Sequence, residues 1–188
     1  MSRTSFDLIV PPFSLRWFEA GEHCDDAQPG DILLINHGTA VSEAIDLGQK
    51  ALSVTEPELR PFTWCTHDAF SRGNGLLSEM GFRGYERRQL LDYKHHLYAV
   101  GHFDVSDEAR ATALAYDDAM AGIDYGWAEY LPLILDGLTD AKFEGSWGNA
   151  VICSTHLTLV LMALGLFPDG LPGSVVPART ALWLDARH

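Results

Sequence analysis

Residues 62 to 80 read Phe62-Thr63-Trp64-Cys65-Thr66-His67-Asp68-Ala69-Phe70-Ser71-Arg72-Gly73-Asn74-Gly75-Leu76-Leu77-Ser78-Glu79-Met80. Two runs rich in aromatic and aliphatic residues flank Gly73-Asn74-Gly75, a turn signal. The pattern predicts a β-hairpin, with one strand from Phe62 to Ser71 and its return from Leu76 to Met80. The turn sets which residues face each other. A turn centred on Gly73 puts His67 opposite Glu79, with Cβ atoms about 4.5–5.5 Å apart, so that the carboxylate can orient the imidazole. A two-residue Asn74-Gly75 turn puts Phe70 opposite Glu79 instead. The sequence admits both registers.

Outward from this hairpin, Asp31 to Asn36 reads as a buried strand after Pro29-Gly30. Thr39 to Leu52 carries Val41, Ala44, Ile45 and Gly48 at helical spacing. A short strand is expected at Tyr85 to Arg88 and a longer one at Tyr93 to Phe103. Ser106 caps a helix with Asp107 and Glu108 in its first turn, where acidic groups suit the macrodipole. Ala109, Ala113, Tyr116 and Met120 are predicted to share that helix's inner face, and Gly122 stops it. Trp127 to Leu138 reads as helical despite Pro132. Residues 1–29 read as irregular, and a Pro- and Gly-rich tail ends in the apolar Ala181-Leu182-Trp183-Leu184. Strands clustered in the middle with helices around them predict an α+β fold. We divide the chain into an N-terminal extension, 1–27, and one domain, 28–188.

The composition excludes several classes of partner. The chain has 188 residues, enough for one domain with a sizeable core, and a formal net charge of −13. Between Gly101 and Ala150, ten acidic residues stand against Arg110 and Lys142. Such a surface repels phosphate backbones and anionic headgroups, so nucleic acid is not expected as a partner. The first residues lack a basic stretch followed by an apolar core, and the longest apolar run, Leu157 to Phe167, is too short to span a bilayer. A cytoplasmic location is the expectation. Cys24, Cys65 and Cys153 are an odd number without zinc-type spacing, which argues against a disulfide framework.

Cys153 opens the apolar run Cys153-Ser154-Thr155-His156-Leu157-Thr158-Leu159-Val160-Leu161-Met162-Ala163-Leu164, which Gly165 ends. This reads as a buried helix with a glycine C-cap. Cys153 then lies in the first turn, where unpaired N–H groups and the positive end of the macrodipole favour a thiolate. Catalytic thiols use this placement, with pKa values brought from about 8.5 down into the range ~3.5–7.5. A thiol of this kind needs a base, and the base benefits from a third group that fixes its tautomer. Cys153, His67 and Glu79 fit these three roles. A packed core cysteine, a hydrogen-bonded strand histidine and an exposed strand carboxylate are the plain alternatives for each taken alone.

In this order the residues resemble the permuted NlpC-type papain-like family, the YiiX/YebB-like cysteine hydrolases. Pro29-Gly30-Asp31-Ile32-Leu33-Leu34 resembles that family's opening "PGDILL" strand. Trp64-Cys65-Thr66-His67-Asp68-Ala69 resembles the strand bearing the catalytic histidine, and Leu77-Ser78-Glu79-Met80-Gly81 the strand bearing the acid. Gly122-Ile123-Asp124-Tyr125-Gly126-Trp127 resembles a "G-x-PYDW" segment, and Val151-Ile152-Cys153-Ser154 the "xICSE" at the nucleophile helix. Val176-Pro177-Ala178-Arg179-Thr180 is similar to a terminal "TPADL". The resemblance spans roughly residues 28–182. Thr155 stands where the family usually has Glu, and Asp68 replaces an apolar residue. Alternation sends Asp68 to the face opposite His67.

The resemblance implies a papain-like, circularly permuted domain, with an antiparallel sheet and the nucleophile helix packed against it. It implies Cys153 as nucleophile, His67 as base and Glu79 as orienting acid, in a peptidase- or amidase-like hydrolase working through an acyl-enzyme. The expected substrate is a small molecule, a peptide or a lipid amide. Acyl transfer on a lipid, or thioesterase-type chemistry, is the alternative on the same fold, and a non-catalytic binding domain is the third reading. No cofactor and no metal are expected. His95 and His96, adjacent in a strand, point to opposite faces, and His23, His37 and His102 show no metal-ligand spacing. His156, three residues after Cys153, reads as a core histidine. Trp64, Trp127 and Trp147 are candidates to wall a cleft. The backbone N–H of Cys153 is the first candidate oxyanion donor. Oligomeric state is left open.

Overall fold

The computed structural model describes residues 13–81, 83–124, 153–166 and 176–185. Six strands form one sheet: β1 (Phe13–Phe18), β2 (Ile32–Ile35), β3 (His67–Gly73), β4 (Leu76–Gly81), β5 (Gly84–Gln89) and β6 (Tyr98–Phe103). Their order is β1-β6-β2-β3-β4-β5, and every neighbouring pair is antiparallel. The described helices are α1 (Ala40–Thr55), α2 (Asp107–Ala119), α3 (Cys153–Ala163) and α4 (Pro177–Asp185). Short 3-10 turns cover Pro57–Phe62 and Leu90–Tyr93. The fold is therefore α+β with an open antiparallel sheet. No described helix is long and apolar enough to cross a membrane.

Each side of the sheet has its own core. Ile32, Leu34, Phe70, Ala99 and Phe103 face α3, which brings Leu157, Val160 and Leu161, with Leu164 just past its end. Ala113 of α2 and Met120 at its C-cap, with Ala181 and Leu184 of α4, complete that layer. On the other side Leu33, Ile35, Ala69, Leu77, Tyr98 and Val100 pack with Cys24, Leu90 and Tyr93. β2 is covered on both faces, which explains its unbroken Ile-Leu-Leu-Ile run. Caps mark the helices as the residues suggest: Thr39 Oγ1 accepts from Ser42 N at 3.2 Å, and Ser106 Oγ from Ala109 N at 3.2 Å. Gly165, at φ 80°, follows α3.

Several elements differ from the sequence expectations. Phe13–Phe18, read as irregular, is an edge strand paired along its length with β6. Phe62 to Thr66 is not strand; Phe62 ends a 3-10 turn that Pro57 opens, a turn follows at Thr63 and Trp64, and pairing begins at His67. Tyr93 likewise ends a 3-10 turn, and β6 begins only at Tyr98, so His95 and His96 lie in a turn. The apolar end Ala181–Leu184 belongs to helix α4. The helix expected at Trp127 to Leu138 lies outside the described residues.

The inner face of α2 is also different. Ala113 and Met120 are buried, but Tyr116 is 43 % exposed and Asp117 takes the inward position. Asp117 follows Ala113 by four residues, so the helical spacing is satisfied by a carboxylate. Its Oδ2 accepts from Tyr85 Oη at 2.9 Å and pairs with Arg72, and its Oδ1 meets His156 Nε2 at 2.8 Å. Burial works against the charge of Asp117, but these donors, His156 foremost, hold its pKa below the usual carboxylate range. His156 is thus the core histidine expected. Its Nδ1 has no partner among the described residues.

This hub ties α2, α3, β3 and β5. Asp117→Ala leaves His156 buried without its anion and Arg72 with Asp118 alone, and is expected to cost about 3–5 kcal/mol in denaturant unfolding. Tyr116→Ala, at the exposed position next to it, is expected to stay within about 1 kcal/mol of the parent. Equal losses in the two variants would contradict the placement of Asp117.

Candidate active site

The β3–β4 turn decides whether His67 and Glu79 can meet. Asn74 (φ 54°) and Gly75 (φ 72°) both occupy the left-handed region, as a two-residue primed turn requires. Gly73 pairs with Leu76 across it. The register then slips by one residue, because Ser71 pairs with Leu77 and Phe70 with Ser78. Arg72 is the extra residue of a β-bulge. The two-residue Asn74-Gly75 turn considered from the sequence is the observed one, but the bulge shifts the register beyond it, so Phe70 meets Ser78 and not Glu79. His67 is not directly opposite Glu79; it is the diagonal neighbour, on the same face, within reach of long side chains. Gly73, at φ 83°, leaves no room for a side chain, since a Cβ there would lie 2.8 Å from Pro29 Cδ.

Glu79 is 2 % exposed and sits at the centre of a cluster of donors. His67 Nε2 lies 3.1 Å from Oε2, and Tyr93 Oη donates to the same oxygen. Arg88 Nε lies 2.9 Å from Oε1. Burial pushes the carboxyl pKa up, but the His67 charge, the hydrogen bonds and Arg88 outweigh it, and the pKa falls below its ordinary value. His67 responds in the opposite direction. Burial disfavours its charge, yet the Glu79 carboxylate and hydrogen bonds with Cys153 and Glu79 raise its pKa well above the ordinary value.

Cys153 is the first residue of α3 and is 1 % exposed. Its thiol is close enough to the His67 imidazole to help raise that ring's pKa. Glu79 engages Nε2, so Nδ1 is the ring nitrogen left for the thiol. The three side chains singled out in the sequence therefore converge, with the imidazole between thiol and carboxylate. The meeting point is the end of the sheet. His67 opens β3 on the face shared with Ala69 and Leu77, while α3 packs on the other face with its first turn at that edge.

Tyr93 and Arg88 belong to the site and were not found from the sequence. The sequence pattern places Tyr93 within a strand and Arg88 in a strand with no assigned partner. Arg88 stands opposite Leu77, hence on the Glu79 face, which register alone reveals. His37 and His96 add an aromatic shell: His37 lies 5.8 Å from His67 and 5.3 Å from His96, ring centre to ring centre. Burial, then the charges of His67 and His96, bring the His37 pKa down to about 4. Asp68 does point away from His67. Cys65 Sγ lies 3.4 Å from its Oδ1 and Thr180 Oγ1 3.3 Å from its Oδ2. Burial lifts the Asp68 carboxyl to about 6. Of the tryptophans considered for a cleft, Trp64 is half-buried against Trp17 at 4.8 Å, and Trp127 and Trp147 lie outside the described residues. Among the described residues no group of three or more His, Cys, Asp and Glu side chains is placed to hold a metal ion.

No protein-family model matches the chain, and no curated protein or solved structure matches it at a significant level.

The shifts of His67 and Glu79 make a signed prediction about pH. Glu79, with a depressed pKa, contributes stability that is complete above its ordinary value of 4.5 and is lost as pH falls through its folded value. His67, with a raised pKa, contributes stability that is complete below its ordinary value of 6.5 and is lost as pH rises through its folded value. The pair is therefore at full strength between those two values. Glu79→Gln removes the anion, so the His67 titration midpoint, read from imidazole NMR shifts, is expected to fall. The alkaline decline in melting temperature should move toward neutral pH with it. An unchanged His67 midpoint would refute the electrostatic coupling.

Proposed function

We propose that this chain is a thiol-dependent hydrolase of the permuted NlpC-type papain-like kind, acting on an amide or ester carbonyl. The observation that carries this reading is the relay of side chains from Cys153 through His67 to Glu79. The order of the motifs, histidine strand, acid strand and then nucleophile helix, supports the family assignment. The antiparallel sheet with α3 packed on it is consistent with it.

The chemistry follows from the geometry. The imidazole takes the thiol proton, and the imidazolium is stabilised by Glu79. Cys153 Sγ bonds to the substrate carbonyl carbon, and the carbonyl electron pair moves to oxygen. The Cys153 N–H, free of an intrahelical acceptor in the first turn, can donate to that oxygen. The C–N or C–O bond then breaks, and His67 gives its proton to the leaving group. Water, deprotonated by His67, attacks the acyl-enzyme, and the thiolate leaves. Glu79 keeps the ring in one orientation throughout. Tyr93 and Arg88 hold Glu79 and do not touch the reacting atoms.

Cys153 and Cys24 are buried to a similar degree, at 1 % and 2 % exposed, so they can be compared directly. Burial also pushes the Cys24 thiol pKa up. A short iodoacetamide pulse near neutral pH is expected to label Cys153 faster than Cys24, as read by peptide mapping. His67→Ala should remove most of that advantage and Glu79→Gln a smaller part. Incubation with activated amide and ester donors should add one acyl mass to the parent and none to Cys153→Ala. Labelling of Cys24 and Cys153 at the same rate, unaffected by His67→Ala, would end the nucleophile assignment.

A further inference from the structure

A cleft of about 320 Å³ opens against the segment that leads into His67 and is used by none of the steps above. Its walls are α1 from Ser42 to Lys50, the residues just after β2 and the segment leading into β3, with Asn36, Glu43, Asp46, Lys50, Trp64 and Thr66 among them. Its position relative to His67 follows from the sequence. Thr66, on its lining, immediately precedes His67 in the chain. Asn36 precedes His37, whose ring lies 5.8 Å from that of His67.

The lining has a definite sign. Lys50 Nζ pairs with Asp46 Oδ2 at 2.6 Å, so that cation is already neutralised. Glu43, exposed in the first turn of α1, has no ion-pair partner among the described residues. Trp64 supplies an indole, the side chain best suited to a cation–π contact. Trp17 packs against it at 4.8 Å and limits its freedom. A carboxylate without an ion-pair partner and an indole lining one cleft favour an organic cation. The polar floor, including Thr66 and Thr63, does not suit an acyl chain. The net charge of −13 draws cations toward the protein as a whole.

We propose that this cleft is a substrate subsite that takes an alkylammonium or guanidinium group, held by Glu43 and the face of Trp64, on the substrate that Cys153 attacks. The assignment rests on the hydrolase reading and narrows its substrates to amides or esters bearing a cationic arm. Such an arm belongs either to a lysine or arginine side chain of a peptide or to a simple polyamine.

The test uses thiol-reactive haloacetamides that carry a terminal ammonium on alkyl chains of graded length, each beside its N-acetylated neutral twin. A parallel pair is built on lysine amide. Labelling rates at Cys153 are read by peptide mapping and divided by the rates with free glutathione. At the best chain length the cationic reagent is expected to outrun its neutral twin about three- to fivefold. Glu43→Gln and Trp64→Leu should each bring the ratio toward one, while Trp64→Phe, which preserves the packing, should keep part of it. A larger ratio for the lysine reagent would identify a peptide as the source, and equal ratios a simple amine. A ratio near one at every length, or one that survives both Glu43→Gln and Trp64→Leu, would overturn the subsite. The neutral reagent alone, with and without His67→Ala, reports the nucleophile, so failure of the subsite and failure of the hydrolase reading are read separately.

Discussion

In the β3–β4 ladder Gly73 pairs with Leu76 and Ser71 with Leu77, so Arg72 is one residue too many. Side chains alternate along a strand, and a slip of one residue exchanges the two faces. Carried through without the bulge, the Asn74-Gly75 turn would set Phe70 opposite Glu79 and leave His67 on the far side of the sheet. With the bulge, Phe70 meets Ser78, and His67 and Glu79 share a face at 3.1 Å. The same insertion directs Arg72 to Asp117 and Asp118 on the other side. An irregularity that would otherwise weaken the ladder is therefore anchored by a buried ion pair and, at Gly73, by close contact with Pro29.

Two carboxylates removed from water organise opposite faces of these strands. Glu79 gathers His67, Tyr93 and Arg88 on one face; Asp117 gathers Arg72, Tyr85 and His156 on the other. Each would be strongly destabilising without its donors, so each fixes the positions of the elements that supply them. Helix α3 takes part in both clusters through residues three apart, Cys153 and His156. Hydrophobic contacts of Leu157, Val160 and Leu161 hold the helix against the sheet but are non-directional. The His156–Asp117 bond adds direction. It fixes how far α3 advances along its axis and how it is rotated, and so where its first turn meets His67.

What was legible in the sequence is what is chemically local. Ser106 announces a cap, Gly165 a stop, and Asn74-Gly75 a tight turn, because each depends on its own backbone or its near neighbours. Cys153 at a helix start and His67 in a strand could be read for the same reason. The bulge could not, since an Arg in a strand looks like any solvent-facing residue until Asp117 is known to lie beneath it. Asp117 was hidden by a competing pattern: Tyr116 is apolar enough to be placed inward, and only the donors Tyr85, Arg72 and His156 reverse the choice. Tyr93 escaped because the turn at Leu90–Tyr93 is fixed by Asp92 Oδ2 accepting from Gln89 N at 3.2 Å and by burial of Leu90, not by periodicity. Strand β1 is stabilised by pairing with β6, which lies some eighty residues away in the chain.

The charges around Glu79 are not equivalent. The Arg88 side chain is 42 % exposed, so water and salt screen its share of the interaction. That of His67 is 13 % exposed, and in its less polar surroundings the carboxylate acts on it with far less attenuation. The proton on His67 is therefore governed mainly by Glu79, while Arg88 chiefly fixes where Glu79 points. A second protonated imidazole beside His67 would compete for the same carboxylate and depress the His67 pKa. His37 is placed to do so, with its ring 5.8 Å away, but its own pKa is brought down to about 4 by burial and by His67 and His96. Near neutral pH it stays uncharged and acts as packing. The charge on the His67 ring is therefore set by Glu79 on one side and Cys153 on the other, without competition from His37.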